Sequence, residues 1–182
     1  MKLKLCDAKS LDIVKTFECG QCFRWNANDK GVYTGVVGRY LAEVETVDNE
    51  VYITSDAPAE MWADYFDLAT DYAAVSADFT GEYLHECIDY GMGIRILRQD
   101  SWEALCSFII SQCNNITRIK GIVERLCEQF GDKCEANGVG YYTFPSAERL
   151  AALRPSDLSG IRAGYRAEYI IAVSYTHLRA HE

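Results

Sequence analysis

Two hydrophobic periods divide the chain. Over residues 32–37, 40–47 and 50–55, apolar and polar positions alternate. The runs are separated by Gly38-Arg39 and Asp48-Asn49, residue types that accept a positive φ or fold back onto their own backbone. A shorter alternation at residues 2–5 and an aromatic run at 22–26 extend the pattern. The spacing predicts a meander of about four antiparallel strands with helices on one face. From residue 99 the period becomes helical. Trp102, Leu105, Cys106, Phe108, Ile109 and Ile110 form an apolar surface too wide for an edge helix, which predicts a central, buried one. Ile116, Ile119, Ile122, Val123, Leu126 and Phe130 then recur at helical spacing, with Arg118, Lys120, Glu124, Arg125 and Glu128 opposite them. The two helices meet at a polar corner, Cys113-Asn114-Asn115.

Between these blocks, Pro58 fits the first position of a short helix carrying Met61, Trp62, Tyr65, Phe66 and Leu68. Residues 71–77 and 81–90 read as further short helices. The composition shifts at Tyr90-Gly91-Met92-Gly93, which predicts a joint between a sheet-bearing part, 1–92, and a helical part, 93–173. Residues 132–140 are expected to form a loop, and Ser146 to cap a helix running through Leu150 and Leu153. Pro155 opens another short helix, and a glycine-bracketed turn over 160–166 leads into a helix from Ala167 to Val173. The predicted class is α+β.

A chain of 182 residues, 49% of them apolar, can bury a real core as one ordinary domain or two small ones. No apolar run is long enough to span a membrane, and no signal peptide precedes Cys6-Asp7. The expectation is a cytoplasmic protein without a membrane partner, its 8 cysteines reduced. The formal charge of −9 argues at first against nucleic acid. Its distribution changes that: residues 43–90 hold 13 acidic side chains and no lysine or arginine, while residues 1–42 carry +3 and residues 91–182 carry +1. The acid is concentrated where it can face away from DNA, so net charge neither excludes nor supports that partner.

Few residues carry chemistry. Cys19 and Cys22 form a C-x-x-C pair, but zinc lacks a second pair, and a redox dithiol would open a helix rather than precede a strand. Gly20 between them is more informative, because glycine lets a ligand approach the backbone and its carbonyl can accept a hydrogen bond from a modified base. His177 and His181 stand four apart without a glutamate at the metalloprotease offset, and His85 reads as a surface or cap residue. No metal and no cofactor is expected. At the corner, Asn114 and Asn115 suit plain helix-end chemistry; with Arg118 one turn on, they equally suit reading base edges and phosphates.

Five separated stretches carry a family resemblance: CGQCFRW at 19–25, RILRQD at 95–100, SFIISQCNNITRIKGIVERLCEQFG at 107–131, YYTFPSAERLAAL at 141–153 and AGYRAEYI at 163–170. In this order and spacing the chain resembles the 8-oxoguanine DNA glycosylase/AP lyase family of the helix-hairpin-helix DNA glycosylase superfamily. The resemblance implies base-excision repair: removal of 8-oxoguanine opposite cytosine in double-stranded DNA, then β-elimination at the abasic site, by a monomer without a cofactor. It implies a twisted antiparallel sheet domain followed by a helical domain. Gly20 matches the glycine whose carbonyl senses the N7 proton that guanine lacks, and Phe23 and Arg24 match its pocket neighbours. Asn114, Asn115 and Arg118 match the corner that fills the vacated stack and holds the orphan cytosine. Tyr165 matches the residue wedged into the duplex, and Arg166 the arginine reaching the same cytosine. Cys113 departs from the pattern: asparagine often stands there, and a thiol offers no amide donors.

A larger departure concerns catalysis. The family's hairpin, nucleophilic lysine and later aspartate belong several dozen residues beyond Val173, and the sequence has no lysine after Lys133. The resemblance therefore implies a C-terminally truncated helical domain, inactive by itself and with no catalytic residue in the chain. Ser174 to Glu182 is expected to be a non-native tail. Two other readings stay open: an alkylated-purine glycosylase of the same superfamily, and a non-catalytic lesion-binding or metal-binding module.

Overall fold

The computed structural model describes residues 1–179. The chain forms two compact units, one of Met1–Gly35 with Ala42–Arg98, the other of Val36–Leu41 with the residues from Gln99 on. The first carries a five-stranded antiparallel sheet in the order β1-β5-β4-β3-β2. Its strands are β1 (Lys2–Asp7), β2 (Asn26–Ala27), β3 (Tyr33–Val37), β4 (Tyr40–Val47) and β5 (Glu50–Ser55). The alternation of the last three is what buries Val44, Val51 and Ile53 on one face, all 0% exposed. β1 pairs with β5 and carries a register shift between Lys4 and Cys6, so it runs past the short alternation that announced it.

Two elements differ from the sequence reading. The run at 22–26 is not a strand. Cys22, Phe23, Arg24 and Trp25 are all buried, which successive residues of a one-sided sheet cannot be, and only Asn26 joins β2. Before it lies a helix the periodicity did not reveal, α1 (Ile13–Glu18), six residues being too few to display a helical period. Asp12 caps it, accepting from the Lys15 amide at 3.0 Å. Phe17 of α1 stacks on Trp25 with ring centroids 4.5 Å apart, and the Trp25 indole N–H donates to the Tyr65 hydroxyl at 2.8 Å. Gly35 lies flush against the same indole, where a Cβ would fall 2.4 Å from the ring. Trp25 is thus the pin of this core.

Short helices complete the unit: α2 (Ala59–Tyr65), for which Pro58 is the cap rather than the first helical residue, α3 (Tyr72–Ala77) and α4 (Glu82–Gly91). Asp67, just after α2, is a polar hub. Its carboxylate accepts from Arg98 at 2.7 Å, Thr70 at 2.9 Å and Tyr72 at 3.1 Å, while its carbonyl accepts from the buried Arg95. Burial pushes the Asp67 carboxyl up, but these three donors outweigh it and hold the group below the usual carboxylate range. A depressed folded pKa stabilises above the unfolded value of about 3.9 and is lost as pH falls through the folded one. Asp67→Asn should therefore lower the melting temperature at pH 6, with the gap to wild type closing below about pH 4, as thermal scans across pH would read.

The second unit is helical, and two of its helices form the corner: α5 (Ser101–Ser111), capped by Asp100, and α6 (Ile116–Phe130), capped by Asn115. After them come α7 (Ala147–Ala151), a 3-10 turn over Pro155–Ile161 and α8 (Arg166–Arg179). Cys106, Ile110, Ile122, Leu126, Leu150, Leu158, Ile161 and Ile170 are each 0% exposed and make its core. Arg125 of α6 holds the 3-10 turn by donating to the Ile161 carbonyl at 3.1 and 3.0 Å. α7 ends at Ala151, so Leu153 lies beyond it.

Two corrections apply here. Residues 132–140 are not a plain loop: β6 (Lys133–Ala136) and β7 (Val139–Tyr142) form a hairpin turning at Asn137-Gly138, both at positive φ. Asn-Gly is the strongest short hairpin signal and was present in the sequence. α5 is not buried all round either. Trp102, Cys106, Ile109 and Ile110 face the core, but Phe108 is 65% exposed, because one helix face suffices to meet α6 and α8. Residues 174–179 continue α8, and His177 lies against the Trp102 ring at 5.1 Å. His181 and the last residues of the expected tail fall outside the described residues. Among the described residues no helix is long and apolar enough to cross a membrane.

Candidate nucleic-acid interface

The residues singled out by sequence fall into two groups, one per unit. In the first unit, Gly20 follows α1 with φ +90, and a Cβ built there meets nothing within 4 Å. The backbone needs glycine for its conformation, and the space on that side is open. The loop around it is held from both ends. Downstream, Phe23 is 8% exposed and Arg24 5%, and Trp25 anchors them in the core. Across from it, the Gln21 amide clamps the loop to residues 95–97. Its nitrogen donates to the carbonyls of Arg95 at 2.8 Å and Thr16 at 3.0 Å, and its oxygen accepts from the Leu97 amide at 2.9 Å. Arg95 in turn donates to the Ser10 carbonyl at 2.7 Å.

Gln21 and Arg95, within the matched stretches, and Asp67, outside them, are positioning residues to which sequence reasoning gave no role. Segments 19–25 and 95–100 both belong to the matched pattern, but nothing in the sequence says that one clamps the other. Cys19 is exposed and Cys22 buried, its thiol donating to the Phe17 carbonyl at 3.8 Å. Among the described residues no group of three His, Cys, Asp or Glu side chains is placed to hold a metal. Burial pushes the Cys106 thiol well above its ordinary pKa, which keeps it protonated.

In the second unit the α5–α6 corner turns through Cys113, exposed and in the left-handed region at φ 48. Both amides of the corner do helix-end work. Asn114 donates to the Ile110 carbonyl at 3.1 Å, and Asn115 accepts from the Arg118 amide at 2.9 Å as the cap of α6. The Arg118 side chain is exposed at the N-terminal turn of α6. Arg166 is the brace. It is 4% exposed and donates through Nε to the Gln112 carbonyl at 3.0 Å, through Nη2 to the Cys113 carbonyl at 3.2 Å and through Nη1 to the Ala163 carbonyl at 3.3 Å. Its guanidinium lies 4.6 Å from the Tyr165 ring centroid, a cation–π contact, and Tyr165 meets Tyr169 edge-on at 5.9 Å. Tyr165 is 53% exposed. One buried arginine thus fastens the corner to the start of α8 and supports an exposed tyrosine beside it. For Arg166 to reach a base it must exchange some of these carbonyl hydrogen bonds.

A turn with exposed Arg118 and Tyr165 offers a charge for phosphate or base edges and a ring for stacking or wedging. The architecture is that of known DNA glycosylases. The solved structure of Clostridium acetobutylicum 8-oxoguanine glycosylase/lyase, in complex with double-stranded DNA containing cytosine opposite 8-oxoG, matches with a TM-score of 0.88 at 33% identity, over 100% of this chain and 66% of that one. Residues 4–105 match the family model described as 8-oxoguanine DNA glycosylase, N-terminal domain, and the chain belongs to that family. The N-glycosylase/DNA lyase of Arabidopsis thaliana is 29% identical over 170 residues, covering 88% of this chain and 47% of the relative. A DNA-3-methyladenine glycosylase of Bacillus subtilis is 30% identical over 155 residues, covering 75% of this chain and 50% of the relative. The chain spans about half the length of these curated relatives.

Proposed function

We propose that these residues are the recognition part of a DNA glycosylase/AP lyase that removes 8-oxoguanine paired with cytosine, with no cofactor, as a monomer acting on genomic DNA in the cytoplasm or nucleoid. The observation that carries the reading is Gly20: a left-handed backbone, open on its outer side, in a loop fixed by Gln21 and Trp25. Its carbonyl accepts the N7 proton of 8-oxoguanine, and Phe23 walls that pocket. Guanine has no such proton, so it leaves an acceptor facing an acceptor, and one hydrogen bond of this kind is worth about 1 kcal/mol net. Extruding the base costs a few kcal/mol, part of which Tyr165 offsets by entering the stack beside the lesion.

Cys113, Asn114 and Asn115 shape the turn that fills the gap. Arg118 reads the orphan cytosine directly, and Arg166 holds the corner and approaches the same base. None of the 182 residues is given a catalytic role in this reading. The test is opposite-base discrimination. The chain should prefer 8-oxoguanine:cytosine over 8-oxoguanine:adenine duplexes, and Arg118→Ala should reduce that preference about tenfold, the low end of a good arginine–base contact. Competition binding on the two duplexes measures it, and an unchanged ratio rules out Arg118 as the reader. The Bacillus subtilis relative favours a second reading, alkylated-purine recognition, which a 3-methyladenine duplex in the same assay separates.

A further inference from the structure

We propose that the surface made by α3 and α4 is a docking face for another polypeptide, a basic amphipathic helical segment. Neither helix contributes a buried residue, which no other helix of eight or more residues in the described chain shares. α4 is ten residues long, and isolated helices shorter than roughly 12–15 residues are marginal in water, so it gains its stability from burial against something else. Its side chains are not those of a solvated face: Tyr83 is 83% exposed, Tyr90 80% and Leu84 45%, with Phe79 just before it at 47%. Apolar groups gathered this densely on a surface mark a contact site.

Charge selects the partner. Asp71, Asp78, Glu82, Glu86 and Asp89 lie on this stretch, against three cations brought to it from elsewhere, Lys15 over Tyr90 and Lys9 and Arg95 at the cleft, so the face stays acidic. DNA is repelled there, and so is a second copy of the same acidic face. A helix with one aliphatic side and lysines or arginines flanking it satisfies both features. A place for its aliphatic anchor exists: a cleft of about 510 Å³ opens between α3, α4, residues 9–10 and residues 92–95, with Tyr72, Ala77, Ile88 and Met92 on its walls and Lys9 and Arg95 at its edge, where the partner presents leucine rather than lysine.

The test uses the 182-residue chain and a synthetic leucine–lysine peptide of about 18 residues, long enough for a stable helix, with its leucines on one side. A scrambled peptide of the same composition is the control. Isotope-edited NMR should show saturable shifts confined to residues 71–95, and the patterned peptide should bind at least tenfold tighter than the scrambled one. Tyr83→Ser with Leu84→Ser should weaken it at least tenfold without moving the melting temperature, both side chains being exposed. Glu82→Gln with Glu86→Gln should flatten its salt dependence. Equal affinity for the scrambled peptide, shifts spread over the acidic strands, absence of saturable binding, or a dimer with Tyr83 at its interface would each overturn the proposal.

Discussion

Trp25→Ala is expected to destabilise the first unit by about 3–5 kcal/mol, the range for deleting a fully buried aromatic side chain. The side chain is 1% exposed, stacks on Phe17 and donates to Tyr65, so alanine loses apolar burial and a buried hydrogen bond at once. Gly35 prevents repair, because the strand that already lies against the indole has no side chain with which to fill the space. Urea unfolding reads the loss. The same change should loosen residues 20–24, since Trp25 is their anchor, and amide hydrogen exchange at Gln21 and Phe23 should accelerate with it. A loss of under about 1 kcal/mol would mean that the segment is held by something other than this core.

Arg166→Ala follows, with an expected cost of about 2–3 kcal/mol. Three carbonyls, that of Ala163 buried and those of Gln112 and Cys113 part-buried, lose a charged donor, and the ring of Tyr165 loses its cation. Lysine is a poor substitute, because a single ammonium cannot span carbonyls on two sides as a planar fork does, so Arg166→Lys should recover less than half of the loss. Arg118→Ala should change stability by no more than about 0.5 kcal/mol, the usual scale for an exposed site. The two arginines, matched by sequence to one cytosine, are thereby separated. Chemical denaturation of the three variants measures this, and equal losses for Arg118 and Arg166 would refute the division of labour.

What the sequence made legible was set by period and by turn chemistry. The strands from Tyr33 to Ser55 alternate because one face is buried, and α6 repeats because one stripe is, so both could be read directly. α1 was too short to show a period, and 22–25 looked strand-like because aromatic residues suit strands, although all four side chains are buried. The hairpin at 133–142 is a different failure, since Asn137-Gly138 announced it and its two strands are only four residues each. Phe108 looked like core by composition; its exposure depends on where neighbouring helices stop, which no local pattern encodes. At the corner, both descriptions of the asparagines had been open, and the structure assigns them helix-end hydrogen bonds. The Gln21 clamp and the Arg166 brace each bridge residues more than fifty positions apart in the chain, beyond the reach of any window of sequence.

The proposed role of the Gly20 loop is to distinguish 8-oxoguanine from guanine. Anisotropy titration of the 182-residue chain at low salt, against matched duplexes carrying 8-oxoguanine or guanine opposite cytosine, tests it most directly. A preference of about fivefold for the lesion is predicted, the equivalent of one discriminating hydrogen bond of about 1 kcal/mol. Equal affinity for the two duplexes would contradict it.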